Sequence, residues 1–270
     1  MLFARRSFDD EMNTQNTKLI VEGQEFVFVT GAGMMSLVRS DCSQDAALHS
    51  ILGGGAGGSK LGQAEGRGNV TLHQTAAGKK VVRRPYLRGG WVRYLSHDLF
   101  FRSLRRGMFG YRPFAELFVT ETLRFKGIPV PRVIAAAVAP QLLSAFYRGV
   151  IVTEHEEGAE NFLIKLQTGA IEPEVAEAVA RAIGMLAARI AETAIAVPDL
   201  HLGNVLLKGE EIVLIDFDKA WFSSQELADL KQAMQNRFSR SVIRNGMCSS
   251  LQSAFAAGLA QSLSGKREVR

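Results

Sequence analysis

Val197-Pro198-Asp199-Leu200-His201-Leu202-Gly203-Asn204-Val205-Leu206-Leu207, followed by Ile215-Asp216-Phe217-Asp218, is the stretch that decides how this chain is read. An aspartate is followed by an asparagine five residues on, and by a second aspartate after a further twelve. With a glycine before the Asn, one loop lets the Asp199 carboxylate reach an attacking hydroxyl while the Asn204 amide oxygen reaches a metal ion. Asp216 ends the apolar run Ile212-Val213-Leu214-Ile215. A carboxylate there is costly to bury unless a cation accompanies it. Magnesium would supply that cation while bridging the phosphate oxygens of ATP. Singly, each residue has an ordinary role as turn former, loop cap or strand-end Asx turn. In this order and context they imply phosphoryl-transfer chemistry.

The rest of the chain is consistent with that chemistry. Its 270 residues are enough for one large domain or two modest lobes. Apolar residues at 47% and charged residues at 22% exclude wholesale disorder. No run approaches 18 consecutive uncharged apolar residues, so a membrane span is not expected. Residues Met1 to Glu11 carry Asp9, Asp10 and Glu11 with no apolar run behind them, unlike a secretion signal. Cys42 and Cys248 make no disulfide framework, which points to a reducing cytosol. The net charge of +5 is unevenly spread: ten lysines and arginines lie between Lys79 and Arg112, with Asp98 the one acidic residue among them. Such a segment suits an anionic partner, phosphate-rich or membranous. Nucleic acid is not expected, because no helix-turn-helix, zinc-finger or stacking motif accompanies the charge.

The pattern along the chain is α+β. Residues 1–60 read as an N-terminal extension, with strand character from Ile20 to Thr30 and a Gly-dense connection from Gly53 to Gly62. Residues 61–153 read as a small mixed lobe. Gly66-Arg67-Gly68 turns into a strand, Lys80 to Arg84 returns, a helix runs from Pro113 to Phe125, and two strands follow at Val130–Val138 and Phe146–Thr153. Residues 154–270 become helical. Val175, Val179, Ile183, Leu186 and Ile190 recur at helical spacing, a short hairpin spans Val205–Leu207 and Ile212–Ile215, and two helices close the chain near Glu226–Phe238 and Ser249–Leu263.

Further residues complete the donor side. Arg83, on the return strand, is placed to clamp the ATP phosphates, with Glu116 of the helix orienting it and Glu121 as the alternative acid. Arg84 faces the other side of the strand and is the weaker candidate. Backbone groups near Glu154 and His155, where the lobes join, would recognise the nucleotide base. His201 reads as an organiser of its loop, since His49, His73, His97 and His155 give no zinc-ligand spacing.

These residues resemble a known family. Gly66-Arg67-Gly68, the run Val81 to Gly90, Arg112 to Leu117, Lys126 to Pro131, Asp199 to Leu207 and Leu214 to Asp218 are similar to the bacterial lipopolysaccharide kinases. Within them the resemblance is to the group acting on 3-deoxy-D-manno-octulosonic acid (KDO), of which Tyr86, Arg88-Gly89-Gly90 and Asp216-Phe217-Asp218 are the more specific marks. It implies a two-lobed protein-kinase-like fold with a reduced, helical C-terminal lobe. It also implies phosphorylation of the 4-hydroxyl of KDO on a lipid A precursor, at the cytoplasmic face of the bacterial inner membrane. Carried over by motif, Asp199 is the catalytic base, Asn204 and Asp216 hold magnesium, Arg83 and Glu116 serve the ATP phosphates, and Gly66 and Gly68 form the turn above them. The basic segment would suit a lipid-linked anionic sugar and peripheral contact with the membrane surface. The oligomeric state is left open. The chain departs from the family at Val197, where a histidine is usual two residues before the base, and it has no Ala-Pro-Glu-like segment after Asp216. Two other readings stand beside this one: a kinase of another sugar or small molecule on the same fold, and a pseudokinase-like module for a membrane surface.

Overall fold

The computed structural model describes residues 17–31, 33–55, 57–61, 70–87, 99–101, 107–141 and 146–261. They form two compact units: Met1–Thr122 with Pro131–His155, and Leu123–Val130 with Glu156–Arg270.

The first unit is built on one antiparallel sheet. Its strands are β1 (Thr17–Val21), β2 (Gln24–Gly31), β3 (Met34–Arg39), β4 (Ser59–Lys60), β5 (Thr71–Gln74), β6 (Lys80–Pro85), β7 (Phe100–Phe101), β8 (Val133–Gln141) and β9 (Phe146–Glu154). They are ordered β1-β2-β3-β8-β9-β6-β5-β4, with β7 also on β9. Glu22 and Gly23 both take positive φ, the geometry that lets a two-residue turn join β1 to β2. Helix α1 (Ala46–Leu52) and helix α2 (Arg112–Phe125) supply the two cores. Alternation along the strands divides them: Leu37, Ala136 and Ile151 join Phe114 and Leu117 of α2, while Val38, Ala135, Ala137, Val150 and Val152 join Leu48, Ile51 and Leu52 of α1.

The described part of the N-terminal segment, from Thr17 on, belongs to this sheet. β3 pairs with β8, Leu37 opposite Ala136 and Val38 opposite Ala135, so the N-terminal strands continue the sheet. Helix α1 was not anticipated, although its N-cap is written in the sequence: the Asp45 carboxylate accepts the Leu48 N–H at 3.0 Å. The Gly-dense stretch begins as the end of that helix, with the Gly55 N–H donating to Ser50 O at 2.9 Å. Gly66 and Gly68 lie outside the described residues, as do Arg88, Gly89 and Gly90.

The helix anticipated from Pro113 is α2, and both its ends are tied down. The Arg112 N–H donates to the Tyr147 hydroxyl at 3.0 Å. At the other end Gly127, at φ 72, turns the chain, and the Ile128 N–H donates to Leu123 O. Glu121 is neither a solvated side chain nor a partner of Arg83. It is 1% exposed and faces the guanidinium of Arg39, also 1% exposed, at 3.2 Å. The same Glu121 oxygen accepts the Val133 N–H at 3.1 Å, and Arg39 donates to Val133 O at 3.2 Å.

The second unit contains β10 (Glu160–Asn161), α3 (Phe162–Thr168), α4 (Pro173–Glu192), β11 (Ile195–Ala196), β12 (Val205–Lys208), β13 (Glu211–Leu214), β14 (Trp221–Phe222), α5 (Leu227–Arg244) and α6 (Ser250–Ala260). β10, β12 and β13 make one small sheet, and β11 pairs with β14 in another. α4 was expected to bury Val175, Val179 and Leu186 with Ile183 and Ile190. Ile183 and Ile190 are buried as expected, but their companions are Ala176, Ala180, Gly184, Ala187 and Ala191, while Val179 and Leu186 are only half-buried and Val175 is exposed. The reason is close helix contact with α6. A Cβ on Gly184 would stand 2.1 Å from Phe255 O, and one on Gly258 1.9 Å from Arg181 O. Small residues at both positions are what lets the two backbones meet, and any side chain there would force the helices apart.

The buried Arg39–Glu121 pair yields a stability prediction. Arg39→Met alone should destabilise the protein by about 3–5 kcal/mol, because it strands a buried carboxylate. Arg39→Met combined with Glu121→Gln, which keeps an acceptor for the Val133 N–H, should recover at least half of that loss. Urea denaturation measures both, and equal losses would show that charge burial is not the cause.

Candidate active site

In the second unit, a dense set of hydrogen bonds shapes the loop from Val197 to Asn204. The His201 Nδ1 accepts the Gly203 N–H at 3.1 Å, and the Asn204 N–H donates to His201 O at 2.8 Å. Asn161 caps α3 by accepting from Leu163 and Ile164, and its own amide nitrogen donates to Gly203 O at 2.9 Å. From α5, the Ser241 hydroxyl accepts the Leu202 N–H at 3.3 Å. The Ile215 N–H donates to Asn204 O at 3.0 Å, which fastens the end of the β13 run to the loop and brings Asp216 beside Asn204. Asp199, Asn204 and Asp216 are thus brought together, and His201 is the loop organiser its position suggested.

Asn204 is buried, and its amide nitrogen donates to Asp199 O at 3.0 Å, so the oxygen is the end that would ligate a metal. Asp216 sits at φ 70, a left-handed backbone that costs on the order of 1–3 kcal/mol for a residue with a side chain. Such strain aims a carboxylate that an ordinary strand end would direct elsewhere. Two oxygen-bearing side chains suit magnesium, which takes one or two protein ligands and completes its shell with phosphate and water. Among the described residues no group of three or more His, Cys, Asp or Glu could hold a metal, so a closed protein cage is not what this loop offers.

Two further residues, Lys219 and Arg237, meet the Asp199 carboxylate. Lys219 donates to Asp199 Oδ2 at 2.8 Å. Arg237 of α5 meets Asp199 Oδ1 through Nε at 2.9 Å and a terminal nitrogen at 2.7 Å. Burial pushes the Asp199 carboxyl up, but the hydrogen bonds and charges of Lys219 and Arg237 outweigh it and bring the pKa to about 2. Asp199 is therefore ionised throughout the neutral range. Its hydrogen bond to Asp199, opposed in part by burial, raises the pKa of Lys219. Lys219 could have been flagged as the residue directly after Asp216-Phe217-Asp218. Arg237 could not, since nothing in a helix thirty-eight residues from Asp199 marks its destination.

In the first unit, the structure corrects the cation–carboxylate pair. Arg84, not Arg83, bonds Glu116, and the Tyr86 hydroxyl donates to the other oxygen of the same carboxylate. Arg83 lies on the α1 face of β6, its Nε donating to Ile51 O at 2.7 Å. Glu116 is buried while Arg84 is partly exposed. At the end of β9 the Glu154 N–H donates to Arg132 O at 2.9 Å and the His155 N–H to Lys80 O at 3.1 Å. Both amides are committed to the protein's own main chain. The His155 Nδ1 is buried with no hydrogen-bond partner among the described residues.

The lipopolysaccharide kinase (Kdo/WaaP) family model matches residues 56–252. The chain is 32% identical over 193 residues to a 3-deoxy-D-manno-octulosonic acid kinase of Haemophilus influenzae (strain PittEE), covering 67% of this chain and 77% of that protein. It is 33% identical over 196 residues to the kinase of that name from Actinobacillus succinogenes, covering 68% and 78%. With that of Vibrio cholerae it shares 32% identity over 207 residues, covering 74% and 81%. Among solved structures it is similar to WaaP in complex with acyl carrier protein, with a TM-score of 0.51 at 12% identity over 80% of this chain and 86% of that one. That structural likeness speaks to a kinase-like fold alone. The family match spans most of the chain, including all of β5 to α5 and the loop that carries Asp199, and this protein belongs to the lipopolysaccharide kinase (Kdo/WaaP) family.

Proposed function

We infer that this protein is an ATP-dependent kinase that transfers the γ-phosphate to a hydroxyl of KDO in the lipopolysaccharide inner core. The observation that carries the reading is the Asp199–Asn204 loop fastened to Asp216, within a chain of this family. Asp199 holds the acceptor hydroxyl and receives its proton. Asn204 and Asp216 would hold magnesium, which would supply positive charge against the phosphates of ATP.

The remaining roles rest on the local geometry. Arg84 takes the phosphate-clamping role first given to Arg83, because it is the cation that the buried Glu116 and Tyr86 orient. Its rigid guanidinium fork can engage phosphate oxygens in pairs. The carbonyls of Glu154 and His155 would meet the nucleotide base, and Gly66 and Gly68 the phosphates. The two compact units correspond to the N- and C-terminal lobes of a kinase, the latter reduced and helical. No helix among the described residues is long and apolar enough to cross a membrane. The basic segment from Lys79 to Arg112 supports peripheral contact with anionic lipid at the cytoplasmic face of the bacterial inner membrane.

Three measurements test these assignments. Asp199→Ala should lower turnover by about 10²–10⁴-fold with ATP affinity nearly unchanged, and unaltered turnover would remove Asp199 from the chemistry. Arg84→Met should raise the KM for ATP and lower kcat, whereas Arg83→Met should do so far less; the reverse order would return the clamp to Arg83. Purified protein should co-sediment with phosphatidylglycerol-containing vesicles and be released as salt rises. Binding indifferent to salt and lipid charge would argue against the membrane assignment.

A further inference from the structure

Two cations converge on the carboxylate that is to receive the acceptor's proton, and proton abstraction alone does not call for them. A cation bound to a base lowers its affinity for protons. Orientation would be a sufficient reason for one cation, and Arg237 already provides it. It approaches a single Asp199 oxygen through two nitrogens, from a helix anchored by the buried Phe238 and Ser241. Lys219 is differently placed. It comes from a turn closed by the Ala220 N–H donating to Phe217 O, both of them buried, and its own side chain is 55% exposed where that of Arg237 is 23% exposed. The pairing of β11 with β14 sets its position: Ala196 lies opposite Trp221, and two residues further along each strand the chain reaches Pro198 and Lys219. That register brings Lys219 level with the loop that carries Asp199, where its ammonium meets the carboxylate.

An ammonium has three N–H donors, of which the bond to Asp199 Oδ2 uses one. Any hydroxyl that Asp199 can deprotonate must come within about 2.6–3.2 Å of it. Its sugar ring then lies within reach of the Lys219 ammonium. KDO is a sugar acid, so its ring carries a carboxylate as well as the reacting hydroxyl.

We propose that Lys219 binds the carboxylate of the acceptor sugar while remaining beside Asp199, so that one residue recognises the acid and places its hydroxyl at the base. This rests on the KDO-kinase reading above. It assigns acceptor recognition to the residue that follows the metal-binding Asp216 by three positions. Arg237 is a positioning residue that keeps Asp199 oriented when Lys219 also engages substrate. The chemistry Lys219 recognises, an anionic oxygen, is shared by the acceptor carboxylate and the phosphoryl group in transfer, and the test must separate the two.

The test compares kcat/KM on a KDO-bearing lipid A precursor and on the same lipid with its KDO carboxylate reduced to a primary alcohol. Wild-type protein should prefer the acid by about 10- to 100-fold, the range of a charge-assisted hydrogen bond. Lys219→Met should lose that factor on the acid and little on the alcohol, bringing the two acceptors within about threefold of each other. The KM for ATP should stay unchanged, and Lys219→Arg should restore part of the preference. If Lys219→Met loses activity equally on both acceptors, the ammonium serves the phosphoryl group and the proposal is overturned. A variant that keeps the wild-type preference overturns it as well. If wild-type protein turns over ATP with a different acceptor but phosphorylates neither lipid, the KDO reading itself fails and takes this inference with it.

Discussion

Two carboxylates on one helix, buried against one sheet, set most of the constraints in the first unit. Glu116 and Glu121 both point from α2 into the interior, where an unpaired carboxylate would not stay charged. Each is matched by an arginine from a different strand, Glu116 by Arg84 of β6 and Glu121 by Arg39 of β3. Two such pairs fix the rotation of the helix about its axis as well as its place along the sheet. The pairs differ in access to solvent. Arg39 is sealed, donates to a backbone carbonyl and lies over the Phe26 ring, so its charge serves the fold. Arg84 keeps an exposed margin, so its charge can serve a ligand. The N-terminal strands are thus part of the machinery: without β3 there would be no Arg39, and α2 would carry a stranded acid beside the one that orients Arg84.

The second unit treats its central carboxylate differently. Asp199 is held by Lys219 and Arg237 rather than buried with one partner, and it remains ionised far below neutral pH. The loop around it is tied by main-chain and side-chain bonds from α3, α5 and the end of β13. The backbone strain at Asp216 belongs to the same design. It persists because the neighbouring Ile215 is bonded to Asn204, and the buried Phe217 anchors the other side.

The legible parts of this protein were those that chemistry forces onto fixed spacings. Asp199, Asn204 and Asp216 could be picked out because their types and intervals have few other uses together, and α2 because Pro113 and Gly127 mark its ends. The error over Arg83 has a simple cause. Strand alternation sends neighbouring arginines to opposite faces, but nothing in β6 states which face α2 covers and which α1 covers. The error over α4 is similar. Periodicity located a helix, yet the buried side is chosen by the glycines and alanines that let α6 approach, and hydrophobicity ranks those residues below Val175 and Leu186. Arg39 and Arg237 were invisible because their partners are distant in the chain and any surface could have used an arginine, whereas Lys219 at least stands next to a motif that could be read.

Val197 shows how a departure from a family pattern can be absorbed. A histidine two residues before the base would bring a polar ring to a point where the chain leaves β11 for the loop. Here that point is apolar and buried, with Ile195 and Ala196 before it and Leu200 after it also buried. A valine completes such a surface without leaving a polar atom to be satisfied. The bonds a histidine could have made to hold the loop are made from elsewhere: His201 within the loop, Asn161 from the start of α3 and Ser241 from α5. Asp199 keeps its orientation, since Arg237 rather than residue 197 holds it. The loop's geometry therefore depends on hydrogen bonds distributed over three elements, and a single apolar replacement at its entrance leaves those bonds in place.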